Sequence, residues 1–513
     1  MKSSDKYYLT TAISYPNGRP HMGHAYEVVA TDVIARYHRL CGRDVRFLTG
    51  TDEHGLKIAQ AARAAELCPR AYVDGMVQHF QELAAVLNIS HDRFVRTTDA
   101  DHVVACQTLW RALQARGDLY LGRYEGWYSV RDEAYYEADE LVEAEDISGK
   151  IVKLSPQGTP VEWTVEESWF FRLSAYADRL LALYDAHPEF VQPASRRNEM
   201  RSFVAGGLRD LSVSRTSFDW GVPVPGSPGH VMYVWIDALT NYLTGAGYPD
   251  ATDWWPADLH VIGKDVVRFH AVYWPAFLMS AGLALPETVF GHGHILNRGE
   301  KMSKSLGNVV DPLALAKTFG VDQLRWFLLR DVAFGDDGSY SEAAIAERSN
   351  ADLANGIGNL AQRALAMIAK NISGLQPVIP AQGEAEATLH EMVSVQTNAY
   401  HTAMNALQLH RAAEAIMLIV GAANGYFADA APWALRATDP ARMAAVLAQT
   451  VDAVRRIAIL AQPFMPATMA TLLDQLGVAV EARTFISLDT SVDARTPLPA
   501  PQGVFPRWTA DAA

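Results

Sequence analysis

The chain has 513 residues, 49% hydrophobic and 20% charged, and its 12 Trp and 20 Tyr exclude a disordered chain. That length exceeds one ordinary core, so about two to four domains are expected. A formal charge of −14 excludes nucleic-acid binding by bulk electrostatics, though not by a local basic patch, and three scattered cysteines (Cys41, Cys68, Cys106) exclude a disulfide framework.

From the N-terminus, MKSSDKYYLTT lacks the apolar core of a signal peptide, and no apolar run reads as a membrane span. The expectation is a cytoplasmic protein with no membrane partner. Residues 7–12 predict a buried strand, followed by the turn formers Pro16, Asn17, Gly18 and Pro20. A helix is predicted from about Met22, with Ala25, Val29, Val33, Tyr37 and Leu40 on one face and Gly42 as its stop. A second strand (45–50) leads into Thr51-Asp52-Glu53-His54-Gly55. Strand, helix, strand, with polar residues just past the strand ends, is the logic of a parallel nucleotide-binding sheet.

The pattern changes near residue 117, and 120–225 reads as an insertion of short strands, turns and two helical pieces. The sheet is expected to resume with Val231–Asp237, then Leu259–Gly263, then Thr288–Ile295. From about 341 the chain is helical and Ala-rich, with Leu353, Ile357, Leu360, Ala364 and Met367 on one face. The fold class expected is α/β: a Rossmann-type parallel nucleotide-binding sheet split by an insertion, followed by an α-helical bundle. The boundaries read as 1–116, 117–225, 226–310, 311–345 and 346–513.

Two peptides carry the chemistry. His21-Met22-Gly23-His24 opens the first helix, where free backbone N–H groups and the dipole favour phosphate. Gly23 allows a nucleotide to approach the backbone, while His21 and His24 offer donors to phosphate oxygens. Lys301-Met302-Ser303-Lys304-Ser305 lies between Gly299 and Gly307, a loop able to close over a nucleotide and neutralise its departing phosphates. Together they read as an ATP site.

These motifs, in this order, resemble the signatures of class I aminoacyl-tRNA synthetases. AISYPNGRPHMGH (12–24), GTDEHG (50–55), YVWIDALTNY (233–242) and HVIGKDVVRFH (260–270) narrow the resemblance to the methionyl-tRNA synthetase family, over residues 5 to about 480. The resemblance implies ATP and L-methionine as substrates, magnesium with the phosphates, a methionyl-adenylate intermediate and transfer to tRNA(Met). It assigns His21, His24, Lys301 and Lys304 as catalytic. ATP would be held by these with Gly23, Lys264, Asp265 and Ser303. Methionine would be held by Ala12, Ile13, Tyr15, Asp52, Arg215, Trp235, Ala238, Tyr242 and His270, where aromatic rings suit a polarizable thioether and Asp52 suits the ammonium. Asn359, Arg363 and Trp433 would read the anticodon within the helical domain.

Many members of the family carry CxxC zinc knuckles in the insertion, but the corresponding stretch Tyr124–Tyr136 has no Cys or His, so no metal site and no zinc are expected there. Trp127, Tyr128, Tyr135 and Tyr136 are expected to pack in its place. Asp322 and Arg325 read first as structural ion-pairing residues. The chain stops soon after the helical region, which implies a monomer without an appended tRNA-binding module, and no DNA partner is expected. The rivals are another class I synthetase, a small nucleotidyltransferase sharing HxGH, and a catalytically silent tRNA-binding paralogue.

Overall fold

The computed structural model describes residues 5–130, 134–136, 138–145, 151–297, 299–302, 308–379, 383–490 and 496–509. In chain order its principal elements are β1 (Lys6–Thr11), α1 (Met22–Leu40), β2 (Asp44–Thr51), β3 (Arg93–Arg96), α2 (Ala100–Arg116), β4 (Val191–Gln192), α3 (Val234–Ala246), β5 (Leu259–Gly263), β6 (Thr288–His292), α4 (Val321–Arg330), α5 (Asn359–Asn371), α6 (Leu409–Ala430) and α7 (Pro440–Ala461). The chain folds into two compact units. One comprises residues 1–20, 46–82 and 91–292; the other comprises 21–45, 83–90 and 293–513.

The first unit is built on a six-stranded sheet in the order β3-β2-β1-β5-β6-β4. β1 pairs with β5, β5 with β6, β6 with β4 and β2 with β3, all in parallel. Strand order reverses between β1 and β5, and in open α/β sheets ligands bind beyond the carboxyl ends at such a point. Those ends run into Ala12 and Ile13 from β1, and into Lys264 and Asp265 from β5; Asp52 follows β2. Trp110, Phe171, Trp274 and Phe277 fill the core and are fully buried.

One expected strand is absent. Val231–Asp237 does not join the sheet: only Val231–Met232 is extended, pairing antiparallel with Ser214–Arg215, and the chain then turns into α3. The apolar run misleads because α3 is buried all round, from Ile236 through Ala246, and such a helix shows no polar face to reveal its period.

Within the insertion, Leu119–Ser129 and Glu162–Phe171 form a long antiparallel pair, in register from Leu119 opposite Phe171 to Tyr128 opposite Glu162. Two helices, Ala177–Ala186 and Ala194–Ala205, match the two helical pieces expected. Between them the chain gives β4 to the edge of the sheet.

The second unit holds α1, a small sheet and the helical bundle. In the small sheet, Ile295–Asn297 pairs antiparallel with Glu300–Lys301 and parallel with Gly338–Tyr340. α6 packs against the helix Glu384–Asn405 and against α7. Residues 409–438 are long and apolar enough to cross a membrane by length and composition, contrary to the expectation that no run is. Asn424 and Pro432 interrupt the run in sequence, and Ile416, Ile419, Val420 and Phe427 are buried in the bundle.

The second unit is organised around a buried ion pair. Arg325 Nη2 donates to Asp32 Oδ2 at 2.7 Å, both side chains fully buried. The same guanidinium donates to the carbonyls of Leu87, Pro463 and Phe464. Asp32 also accepts from Arg36 Nε, Ser90 N and Ser90 Oγ. Burial alone would raise the Asp32 carboxyl; Arg325 and then Arg36 outweigh it and hold it below the ordinary carboxylate value. Arg325 is thus an ion-pairing residue as expected, but its partner is Asp32. Asp322 instead accepts from the Thr468 amide at 2.6 Å, at the start of the helix Pro466–Gln475.

Removing one partner of such a pair leaves a buried charge short of its match. Arg325→Met is expected to cost about 3–5 kcal/mol, read from the denaturant midpoint at neutral pH. An unchanged midpoint would show that the pair contributes nothing net.

Candidate active site

The loop after β2 has no ladder of its own and is fixed by side chains. Glu53 is fully buried and accepts from Arg96 Nε at 2.7 Å and Nη2 at 2.9 Å, from Thr51 Oγ1 at 2.7 Å and from Thr98 Oγ1 at 2.6 Å. Its amide donates to Thr97 Oγ1, and its carbonyl accepts from the Trp220 indole at 2.6 Å. The neighbouring Asp52 is buried, with its backbone amide bonded to the Ser14 carbonyl at 2.8 Å. Tyr15 donates its hydroxyl to the His54 carbonyl at 3.0 Å, and Lys57 lies 5.2 Å from the Tyr15 ring centre.

α3 brings Trp235, Ala238 and Tyr242 along one run of the helix. The Trp235 indole stacks on Phe269, 3.6 Å between centres with planes 5° apart, and stands edge-on to His270 at 6.2 Å. His270 Nδ1 meets the Val266 carbonyl at 2.9 Å, so that nitrogen carries the proton and Nε2 accepts the Tyr242 hydroxyl at 2.6 Å. Burial pushes His270 down to about 4, against the opposing effect of the Val266 carbonyl, so the ring is neutral near pH 7. Burial, reinforced by His270, also lowers His260, whose Nδ1 lies 2.8 Å from Thr10 Oγ1. These rings form an aromatic, uncharged cluster.

Asp237, between Trp235 and Ala238 in sequence, is fully buried and bracketed by two imidazoles. His54 Nδ1 lies 2.6 Å from Oδ2, and His102 Nε2 lies 2.7 Å from Oδ1. Burial opposes its ionisation, but His54 and His102 outweigh it and set the carboxyl well below its ordinary value. Arg215 is buried in the short Ser214–Arg215 strand, donating to Ser212 Oγ and the Ser214 carbonyl, with its guanidinium 4.4 Å from the Tyr233 ring centre. Lys264 and Asp265 lie in the 3-10 turn Lys264–Val266 that follows β5.

In the second unit, the His-x-Gly-His element caps α1. His21, in extended backbone, accepts the Gly23 amide on Nδ1 at 3.0 Å, and His24 Nδ1 accepts the His21 amide at 3.1 Å. With both Nδ1 atoms accepting, the neutral rings carry their protons on Nε2. The rings lie 4.0 Å apart, and a Cβ at Gly23 would stand 2.9 Å from the His21 ring, so this glycine also makes room for the cap. The backbone of Lys301 is the partner of Leu296 in the small sheet, and Met302 is buried. The Lys301 side chain, Ser303 and Lys304 lie outside the described residues.

The bundle gathers two of the three expected anticodon residues. The exposed Arg363 holds its guanidinium 4.9 Å from the Phe427 ring centre and 5.2 Å from that of Trp433. Ala431 takes φ +40°, an uncommon conformation for a residue with a Cβ, and turns the chain so that Pro432-Trp433 opens a new short helix. Asn359 is exposed one turn before Arg363.

Sequence reasoning missed Glu53, Asp237, Trp220, Phe269 and Phe427. Glu53 and Asp237 stood inside motifs already singled out, and an acidic residue within an apolar run such as VWIDAL was the available signal.

The comparisons with known proteins agree with each other. Residues 7–365 match the family model described as tRNA synthetases class I (M), and residues 377–505 match the anticodon binding domain of methionyl tRNA ligase. A methionine–tRNA ligase of Brucella suis biovar 1 is 56% identical over 511 residues, 99% of this chain and 98% of that protein. One from Mycobacterium tuberculosis is 55% identical over 512 residues, 98% of each. The crystal structure of Mycobacterium tuberculosis methionyl-tRNA synthetase bound by methionyl-adenylate aligns with a TM-score of 0.94 at 54% identity, covering 98% of this chain and 100% of that one.

The buried histidine gives a test of this cluster. A histidine kept neutral in the fold binds a proton more readily when unfolded, so stability falls as pH drops from 6.5 to about 4. Melting temperatures across that window are expected to fall less steeply for His270→Asn than for the parent; parallel slopes would place the titration elsewhere.

Proposed function

Since the chain belongs to the methionyl-tRNA synthetase family of class I aminoacyl-tRNA synthetases, we propose that it attaches L-methionine to tRNA(Met) at the expense of ATP. The methionine carboxylate attacks the α-phosphate of ATP, forming methionyl-adenylate as the bond to pyrophosphate breaks. The terminal 2′-hydroxyl of the tRNA then takes the acyl group, and AMP leaves. Magnesium enters as the counter-ion of the ATP phosphates, as part of that substrate.

The neutral Tyr242–His270 pair is the observation that carries the amino-acid assignment. The Tyr242 proton is engaged by His270 and the imidazole is uncharged, so a slot lined by these rings favours an apolar, polarizable thioether over a charged or strongly polar side chain. Asp52 supplies a carboxylate for the substrate ammonium. In the phosphate-handling part, the tautomers set by the α1 cap put the ring N–H of His21 and His24 on Nε2, the kind of donor that stabilises charge developing on phosphate oxygens. Lys301 and Lys304 are assigned to the leaving pyrophosphate, with Ser303 alongside, and Lys264 and Asp265 to the nucleoside. The chemistry is positioning and charge stabilisation, with no covalent enzyme intermediate.

The reading includes no zinc. At the insertion the tip is held by Ser129, Thr159 and Ser155 hydroxyls, 2.7 and 2.8 Å apart in turn, and Trp127 meets Trp163 edge-on at 5.4 Å. Tyr128 and Tyr136 are buried there; the side chains of Tyr124 and Tyr135 lie outside the described residues. A monomeric, cytoplasmic enzyme without DNA or membrane partners completes the proposal.

Purified protein assayed for ATP–pyrophosphate exchange across the twenty amino acids is expected to respond to methionine alone, unchanged by a strong zinc chelator. Exchange with another amino acid would overturn the slot assignment, and loss under the chelator would overturn the metal-free insertion. Trp433→Ala is expected to leave exchange intact while weakening tRNA binding by about 1–3 kcal/mol, the usual worth of one base–aromatic stack.

A further inference from the structure

We infer that His54 is a positioning residue that fixes the distance between the ammonium-binding carboxylate of Asp52 and the aromatic slot on α3, and so sets which side-chain length the enzyme accepts. The inference rests on the methionine reading above.

Asp52 and the slot belong to different elements. Asp52 sits in the loop after β2, whereas Trp235, Ala238 and Tyr242 belong to α3. The bonds of Glu53 to Arg96, Thr98 and Thr51 anchor that loop to β2, β3 and the segment just after β3, but none of them reaches α3. His54 does. Its Nδ1 donates to Asp237 Oδ2 at 2.6 Å, and its backbone carbonyl accepts the Tyr15 hydroxyl at 3.0 Å. Its ring packs edge-on against Trp220 at 5.3 Å. One residue therefore touches α3 and a third pocket wall, Tyr15, while being two positions from the ammonium carboxylate.

Its partner is rigid. The other Asp237 oxygen is held by His102 Nε2 at 2.7 Å. His102 Nδ1 lies 2.9 Å from the Thr244 hydroxyl, a second tie to α3. Asp237 is thus fixed from the α2 side before His54 engages it. Cys106 completes the cluster, 3.2 Å from His102 Nε2, and burial followed by the Asp237 charge raises its thiol well above the ordinary value. His102, Cys106 and Asp237 could geometrically hold an ion, with ligand atoms within 4.8 Å of one another. Their contacts with each other and a protonated thiol favour a hydrogen-bonded strut instead.

The two histidines then differ in what they control. His102 joins α2 to α3 and bears on stability. His54 joins the ammonium site to the slot and bears on substrate fit, where a displacement near 1 Å costs about 100-fold in rate.

The experiment compares His54→Ala, His54→Asn and His102→Asn with the parent in ATP–pyrophosphate exchange, using L-methionine and L-ethionine, one methylene longer. For His54→Ala the KM for methionine is expected to rise about tenfold or more with the KM for ATP unchanged, and preference for methionine over ethionine to fall several-fold. His54→Asn places an amide N–H near the Nδ1 position and is expected to restore much of both. His102→Asn is expected to lower the melting temperature while leaving KM and preference at parental values. Equal effects of the two histidine positions on KM, or a His54→Ala enzyme that keeps its KM and preference, overturn the inference while the functional reading stands. Should His54→Ala fail to fold, an Asn variant with parental melting temperature but no better preference than His102→Asn supports no positioning role and overturns it as well. A parent without methionine-dependent exchange removes the functional reading itself.

Discussion

A carboxylate keeps its charge inside a protein only where that charge is met, and each unit of this chain is organised around meeting it. Asp32 does so for the second unit, where Arg325 also collects three backbone carbonyls from residues 87, 463 and 464. The helix whose first turn carries His21 and His24 is thereby fastened to segments more than 400 residues later in the chain. Glu53 and Asp237 do the same for the first unit. Each holds its place because several donors converge on it, so the elements supplying those donors cannot drift independently. Asp52 adjoins Glu53 in sequence and Trp235 lies two positions from Asp237, so both share the anchoring of these buried acids.

What the sequence made legible follows from range. β1, α1 and β2 were readable because each is written in one contiguous pattern: an aromatic and β-branched run, a helical stripe closed by Gly42 (which takes φ +81°), and a polar handover at Thr51–Gly55. The His-x-Gly-His element was readable for the same reason, since both caps lie within its first turn. α3 was misread at its start because total burial erases the periodicity that separates helix from strand. The partners of the site were hidden for a different reason. Phe269 stacks on Trp235 from 34 positions away, and His54 finds Asp237 across 183. No local pattern encodes a contact at that separation; the resemblance to a family supplied the lining residues, and only coordinates supplied the residues behind them.

A chain this acidic can meet an RNA only through local features, and the bundle holds one cation–aromatic group of that kind. Arg363 is held against both Phe427 and Trp433, so the guanidinium plane and the indole hold each other in place. Ordering in advance lowers the entropy lost on binding, and stacking needs no net positive charge. The positive φ at Ala431 is the local strain that accompanies this presentation of Trp433.

The strand β4 has an implication for how this protein can be cut and rejoined. The insertion leaves the sheet after α2 and, before it ends, lends Val191–Gln192 back to β6 as the outermost strand. An excursion that returns a strand to its host is not a detachable module. Cutting it out at its base would uncover the hydrogen-bonding edge of β6, a template for adhesion between molecules. The distal hairpin contributes no strand to that sheet, but the root of the insertion is part of it and must travel with it.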